Sequence, residues 1–366
     1  TLEVELDRPT GHFPQLLAHS VFYPVPRHVV NAHDESWTEV ETMVTNGPFK
    51  LAARQQSGSL ALERNPLYHG RFAGNLERLE LSLLEGELGQ QLQLYEDNSL
   101  DVLTLNGLPL PEMDRARHRH AGEYVPVPAL FTTYVGFDVS LAPFADPRVR
   151  RAFALATDRE TLAHVTMRGY EFPATGGLVP PGMPGHSPGI GLPYDLERAR
   201  HLLAEAGYSG GVGFPEVACM ARAHEPYTQY LAALWRENLG VDIRLEPWDS
   251  AQHPGRPGKK PRQMWITGWV ADYPDPDNFL RASEWRLGTK WQNEAYDQLL
   301  EGARSLTDQA ERVRMYQQAD LMLVREAVVL PLFHARWHLL VKPWVRRYPT
   351  SPLRQSFWKD VIIEPH

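Results

Sequence analysis

Apolar residues recur along this chain with two periods, and the change of period divides it. Over residues 1–134 the alternation is mostly twofold. Leu60 and Leu62, then Leu79, Leu81 and Leu83, are separated by polar neighbours, as in strands with one buried face. Residues 1–6 alternate in the same way and predict a further strand. Leu88, Leu92 and Tyr95 fall at helical spacing just ahead of the apolar run at 100–103, which predicts a β-α-β step.

From Tyr134 the pattern is regular strand–helix alternation. Residues 134–139 read as a strand. Asp146 caps a helix with Pro147 at its first position, where the missing N–H costs nothing. Thr157 and Glu160 form a capping-box pattern for the next helix, which Gly169 closes. Asp195 caps a third helix, whose Leu196, Ala199, Leu202, Leu203 and Ala206 make one apolar stripe ending before Gly207. A fourth carries Leu231, Leu234, Trp235 and Leu239 and stops at Gly240; Val241, Ile243 and Leu245 then alternate as a strand. Residues 250–262 are basic and rich in Pro and Gly, so a surface loop is expected there. A long helix over 308–326 precedes a buried strand at 328–333, and the tail, with its apolar run at 361–363, is expected back on the first domain. These elements predict an α/β fold of two lobes. Residues 1–134 and 334–366 form a partial first lobe and 135–333 a second, joined by two hinge crossings near 135 and 334.

The length of 366 residues suits two domains. A net charge of −8 gives no electrostatic footprint for nucleic acid, and the Arg/His run at 115–120 lacks interleaved aromatics and reads as a solvated face. No apolar stretch approaches the roughly 20 residues of a membrane span. Cys219 is the only cysteine, so no intrachain disulfide can form, and its apolar neighbours make it a small buried hydrophobe rather than a nucleophile.

The chemistry concentrates in Trp265-Ile-Thr-Gly-Trp-Val-Ala-Asp-Tyr-Pro-Asp-Pro-Asp-Asn-Phe-Leu280. Pro274 and Pro276 cannot donate to a ladder, so the strand ends near Asp272. That places a carboxylate, Asp272, and two aromatics, Trp269 and Tyr273, at a strand end, where α/β proteins build ligand sites. Gly268 allows close backbone approach. Each residue has a plainer reading: Asp272 as a turn cap, Trp269 as core. Arg222, with His224, follows the strand at 216–220 and suits a ligand carboxylate through its fork, or is a surface arginine. Ser187 in Gly185-His-Ser-Pro-Gly189 fits a hydrolase elbow but sits in a proline-rich loop without the strand and helix that elbow needs. Asp272, Asp275 and Asp277 lack the central Gly and later Glu of a calcium loop. His334 and His338, four apart at a strand end, lack the Glu of a zinc helix. No metal or cofactor is expected.

Six further segments, in order, resemble landmarks of the extracytoplasmic solute-binding proteins of ABC importers, the dipeptide/oligopeptide/nickel family: Thr45-Asn-Gly-Pro-Phe-Lys-Leu51, Glu63-Arg-Asn-Pro-Leu-Tyr-His-Gly70 with His69 in place of the usual Trp, Gly136-Phe-Asp138, Asp146-Pro-Arg-Val-Arg-Arg-Ala-Phe-Ala-Leu-Ala-Thr-Asp158, Val179-Pro-Pro-Gly-Met-Pro184, and Tyr194 through Tyr208. The Gly268-Trp269 strand and its acidic loop resemble a seventh. The resemblance implies a bilobed periplasmic-binding-protein-like fold whose N-terminal part is absent from this chain. It further implies a periplasmic or extracellular membrane-associated monomer that binds a peptide or other small solute in an interlobe cleft and delivers it to a membrane permease, without catalysis. Under it, Asp272 pairs with the α-amino group of the ligand, and Gly268, Trp269 and Val270 lie along the ligand backbone. Ile266 stands where the oligopeptide-binding branch carries an Arg, so that carboxylate contact is absent. The rival readings are a ligand-sensing domain of a transcriptional regulator with the same fold, and a serine hydrolase using Ser187.

Overall fold

The computed structural model describes residues 3–55, 58–82, 88–222, 225–248, 262–353 and 355–366. They gather into two compact units, residues 1–19 with 128–336 and residues 20–127 with 337–366. Leu83, His224 and almost all of the 250–262 segment lie outside the described residues.

In the unit of 20–127 and 337–366, β1 (Phe49–Arg54), β2 (Leu60–Arg64) and β3 (Arg78–Leu81) make an antiparallel sheet. Leu60 stands opposite Leu81 and Leu62 opposite Leu79, so the alternating leucines meet across one pair of strands. Asn65 ties two of the recognisable segments together. Its Nδ2 donates to the Gly47 carbonyl at 2.9 Å, and its backbone N–H donates to that of Pro48 at 2.9 Å. β4 (Val102–Thr104) runs antiparallel to residues 339–341. Helix Leu88–Glu96 carries the fully buried Tyr95, whose hydroxyl donates to Glu123 Oε2 at 2.5 Å. The basic run belongs to helix Leu110–Arg119, where Arg115 and Arg119 are exposed and Arg119 pairs with Glu96 at 3.0 Å. The tail closes as a short antiparallel pair, Val345–Arg347 with Ile362–Ile363, and Asn75 exchanges two hydrogen bonds with the Ile363 backbone.

The unit of 1–19 and 128–336 is built on a mixed sheet. Its strands are β5 (Tyr124–Phe137, from residue 128 on), β6 (Phe172–Pro173), β7 (Val217–Ala221), β8 (Ile243–Pro247), β9 (Met264–Val270) and the first part of β10 (Val329–Val341). Their order is β6-β10-β5-β9-β7-β8. β9 is antiparallel to β5 over its whole length, from Met264 opposite Phe137 to Val270 opposite Phe131, and β7 is parallel to both β8 and β9. Three helices bury one face: Val149, Ala152 and Phe153 from Pro147–Leu155, Ala199 and Leu203 from Leu196–Glu205, and Leu231, Trp235 and Leu239 from Pro226–Leu239. They meet Val135, Phe137, Cys219, Met264, Ile266 and Phe333 of the sheet. At roughly 1.5–3 kcal/mol for each large apolar side chain taken from water, this cluster is the main source of the unit's stability.

The predicted caps at Asp146 and Asp195 are present; each carboxylate accepts a backbone N–H of its helix, from Arg148 at 2.8 Å and Arg198 at 3.0 Å. Other expectations are corrected. Asp158, not Thr157, caps the next helical turn through the N–H of Thr161. The Thr157 hydroxyl is already engaged, donating to the Phe153 carbonyl and accepting from the Trp235 indole. Residues 3–6 are exposed without regular structure, since a lone strand has no ladder for its backbone groups. β5 begins ten residues before the expected start. β10 continues through Val341, so His334 and His338 lie inside a strand and not at its end.

Candidate functional site

β9 emerges from the core as it runs. Met264, Trp265 and Ile266 are buried, Thr267 to Trp269 half-buried, and Val270 is 38% exposed. Its described ladder with β7 holds only Cys219 opposite Met264 and Met220 opposite Trp265. Beyond Trp265, β9 therefore has a ladder partner on its β5 side alone among the described residues. The backbone edge of residues 266–270 continues past these two pairs on the side of β7, which itself ends at Ala221.

Gly268 leaves room for an aromatic neighbour. A Cβ there would lie 2.0 Å from Cε2 of Phe131, whose ring crosses the glycine from β5. Asp272 follows, exposed. The Asn278 side chain joins it to Trp269. Its Oδ1 accepts the Trp269 indole N–H at 2.8 Å and the Asp272 backbone N–H at 3.1 Å, while its Nδ2 donates to Asp272 Oδ2 at 3.1 Å.

Beneath this loop lies a buried ionic network. Arg312, from helix Gln309–Arg325, grips Asp275 with two hydrogen bonds of 2.6 Å. Asp277 accepts from the hydroxyls of Tyr273 at 2.8 Å and Tyr316 at 3.1 Å, and from Arg281 at 2.7 Å and 2.5 Å. Burial alone would disfavour the Asp277 carboxylate, but the Arg281 guanidinium, with the Tyr273 hydroxyl, outweighs it and holds its pKa below the ordinary value. His12 stacks on Tyr273 with ring centroids 5.4 Å apart and planes 5° from parallel. A guanidinium only donates, so Arg312 at 3.2 Å leaves His12 Nδ1 as acceptor and turns Nε2–H toward Asp277 at 3.5 Å. Burial lowers the pKa of His12 despite the attraction of Asp277 and Asp275, consistent with that neutral ring.

The predicted residues thus separate. Gly268, Trp269, Val270 and Asp272 lie together along this edge and the loop that follows it. Tyr273, 6% exposed, turns inward with its hydroxyl taken by Asp277. Asp275 and Asp277 are neutralised by Arg312 and Arg281, so the three aspartates do not form one oxygen cage. Arg222 is exposed just past the end of β7, and its carbonyl accepts the Glu225 N–H at 3.0 Å. Because β7 and β9 are parallel, Arg222 and Asp272 both follow carboxyl ends of strands at the same side of the sheet. Ser187 donates to the Gly185 carbonyl at 3.3 Å, and the adjacent His186 ring is committed to the Val179 carbonyl through Nδ1 at 2.7 Å.

Sequence reading missed Asn278 and the ion network. Asp277 and Arg281 stand four apart, a readable pairing signal. His12 and Arg312 are joined to them only by the fold.

The sequence profile of a family described as bacterial extracellular solute-binding proteins, family 5 Middle, matches residues 1–285. The probable deoxycholate-binding periplasmic protein YgiS of Escherichia coli is 30% identical over 100% of this chain and 70% of its own length. The periplasmic oligopeptide-binding protein OppA of Salmonella typhimurium is 28% identical over 100% of this chain and 69% of its own. Among solved structures, the Escherichia coli murein tripeptide binding protein MppA superposes with a TM-score of 0.79 at 24% identity, covering 99% of this chain and 72% of that one.

Proposed function

Because the chain belongs to the bacterial extracellular solute-binding proteins of family 5, we propose that it captures a small solute with a free amino group, in the first instance a peptide, outside the cytoplasm and passes it to the membrane permease of an importer. The observation that carries this reading is the exposed carboxylate of Asp272 directly after a strand edge, 266–270, with no described partner on one side. An extended peptide adds its N–H and C=O groups to such an edge as a further strand. Its terminal ammonium, stripped of water, needs a carboxylate at the end of that edge, and a charge-assisted hydrogen bond to Asp272 supplies it. Arg222, past the neighbouring parallel strand, offers a fork for a carboxylate. Trp269 adds an apolar wall.

Binding without catalysis is part of this proposal. The Ser187 hydroxyl is spent on a backbone carbonyl, and no described base meets it. Among the described residues no helix is long and apolar enough to cross a membrane.

The relatives differ in what their names say they bind, and deoxycholate is an anion. An amphipathic anion would find like charge at Asp272 and would have to be held by Arg222. Titration calorimetry with trialanine, N-acetyl-trialanine and deoxycholate separates the two. Trialanine is expected to bind at least tenfold more tightly than its acetylated form, and Asp272→Asn to weaken it by about 2–5 kcal/mol, the loss for one partner of a desolvated charge pair. Equal affinity for the two peptides, or binding of deoxycholate alone, overturns the amine reading.

A further inference from the structure

We propose that Asn278 is a positioning residue of the binding site, setting the direction of the Asp272 carboxylate and the plane of the Trp269 indole with one amide. The inference rests on the amine-binding reading above and names a residue that the reading does not contain.

The geometry admits one assignment of the Asn278 amide. Its Oδ1 faces two groups that can only donate, the Trp269 indole N–H and the Asp272 backbone N–H, and its Nδ2 faces a carboxylate oxygen that can only accept. All three contacts would fail in the flipped amide. Asn278 is itself fixed: it is fully buried, and its backbone N–H donates to the Asp275 carbonyl at 3.0 Å. Asp275 in turn is held by Arg312. The chain of support thus runs from a buried ion pair, through a turn, to an amide, and from the amide to two exposed or half-exposed groups.

The consequence for Asp272 is directional. Its Oδ2 and its backbone N–H close on the two ends of the same amide, so rotation about its side-chain torsions would break the contact at Oδ2. Among the described residues no group bonds Oδ1 of Asp272, the oxygen this proposal gives to a ligand. An exposed aspartate without such a clamp would lose rotamer freedom on meeting an ammonium; here the contact with Asn278 already supplies part of that ordering. The same amide holds the indole beside the edge of β9, so the aromatic wall and the charge are set from one point.

The test uses the full chain, labelled with ¹⁵N at tryptophan. Trp269→Phe identifies the Trp269 indole resonance. The Trp235 indole, bonded to Thr157 Oγ1 at 3.0 Å, serves as a marker of the fold. Asn278→Ala is expected to shift the Trp269 resonance, leave that of Trp235 in place, and weaken trialanine about tenfold, the scale of a lost hydrogen bond to a charged group. In an Asp272→Asn background it should weaken trialanine less than it does alone, and N-acetyl-trialanine should be less sensitive to it than trialanine, what remains in both cases being the share carried by the indole. Asn278→Asp divides the role, because it keeps the acceptor for the indole and removes the donor to Oδ2. It should retain the Trp269 resonance and still lose trialanine affinity, and it decides the matter if Asn278→Ala disturbs Trp235. An unmoved Trp269 resonance in Asn278→Ala, or unchanged trialanine affinity in both Asn278 variants while Asp272→Asn weakens it, overturns the positioning role and leaves the amine reading standing. If Asp272→Asn itself has no effect, the amine reading falls and takes this proposal with it.

Discussion

Replacing Arg312 by methionine removes the base of the support for the acidic loop. The side chains of Arg312 and Asp275 are 1% and 5% exposed and share two hydrogen bonds of 2.6 Å. Methionine fills similar volume but leaves the Asp275 carboxylate buried with only the Asp277 backbone N–H, at 3.0 Å, as a remaining described donor. Removing one partner of a buried ion pair costs about 3–5 kcal/mol, most of it the penalty of the charge left behind. The unit that holds the pair spans some 230 residues, for which each kcal/mol lowers a melting temperature by about 2–4 °C. A fall of roughly 6–20 °C is therefore expected. Urea titration should show a lower midpoint at unchanged slope. The double variant Arg312→Met with Asp275→Leu should recover part of the loss, since replacing both charges by apolar groups avoids stranding either. It should not recover all, because Asp275 also caps the turn at Asp277. A loss below about 1 kcal/mol in Arg312→Met would refute the reasoning, as would a double variant less stable than the sum of the two single ones.

Three further outcomes are expected. Gly268→Ala should destabilise by about 1–3 kcal/mol through its clash with Phe131, and Phe131→Val should relieve it; a Gly268→Ala protein as stable as wild type by thermal melting would mean the ring moves freely. Asp272→Asn should weaken trialanine by ~30-fold or more in calorimetry while hardly changing the melting temperature of the ligand-free protein, because the exposed carboxylate carries little of the fold. His334 is buried, with Nδ1 on the Thr132 hydroxyl and no partner at Nε2 among the described residues, and burial pushes its pKa down to about 3. Its folded pKa lies below the ordinary value, so its contribution is complete above about pH 6.5 and is lost as pH falls toward 3, by about 1.4 kcal/mol per unit. His334→Gln should flatten that slope in denaturation curves between pH 6.5 and 4.5, and an unchanged slope would remove His334 from the account.

The elements legible in the sequence are those whose signals are local. Asp146 with Pro147, Asp195 with its stripe, and Gly240 at φ +71° each declare a helix end within a few residues. The paired leucines of β2 and β3 declare a half-buried sheet. Thr157 misled because its hydroxyl is used by a tryptophan 78 positions away, which no local pattern shows. The extent of β10 was hidden by its histidines, tryptophan and arginine, which read as a strand's end. At the candidate site, Asp272 and Trp269 were legible from two prolines and a break in alternation. The clamp through Asn278 was not, because asparagine in an acidic turn reads first as a turn former. His12 and Arg312 reach Asp275 and Asp277 only once the chain is folded.

The position of Cys219 has a practical consequence. The chain has a single thiol, fully buried in the centre of the helix-covered face of the sheet, and burial raises its pKa. A maleimide added to the native protein has no thiolate to meet until the 128–336 unit opens. The rate of its incorporation therefore serves as a built-in clock for that opening, read on the unmodified protein without any dye or tag. Any cysteine engineered beside Asp272 would in turn be the one fast-reacting thiol in the molecule.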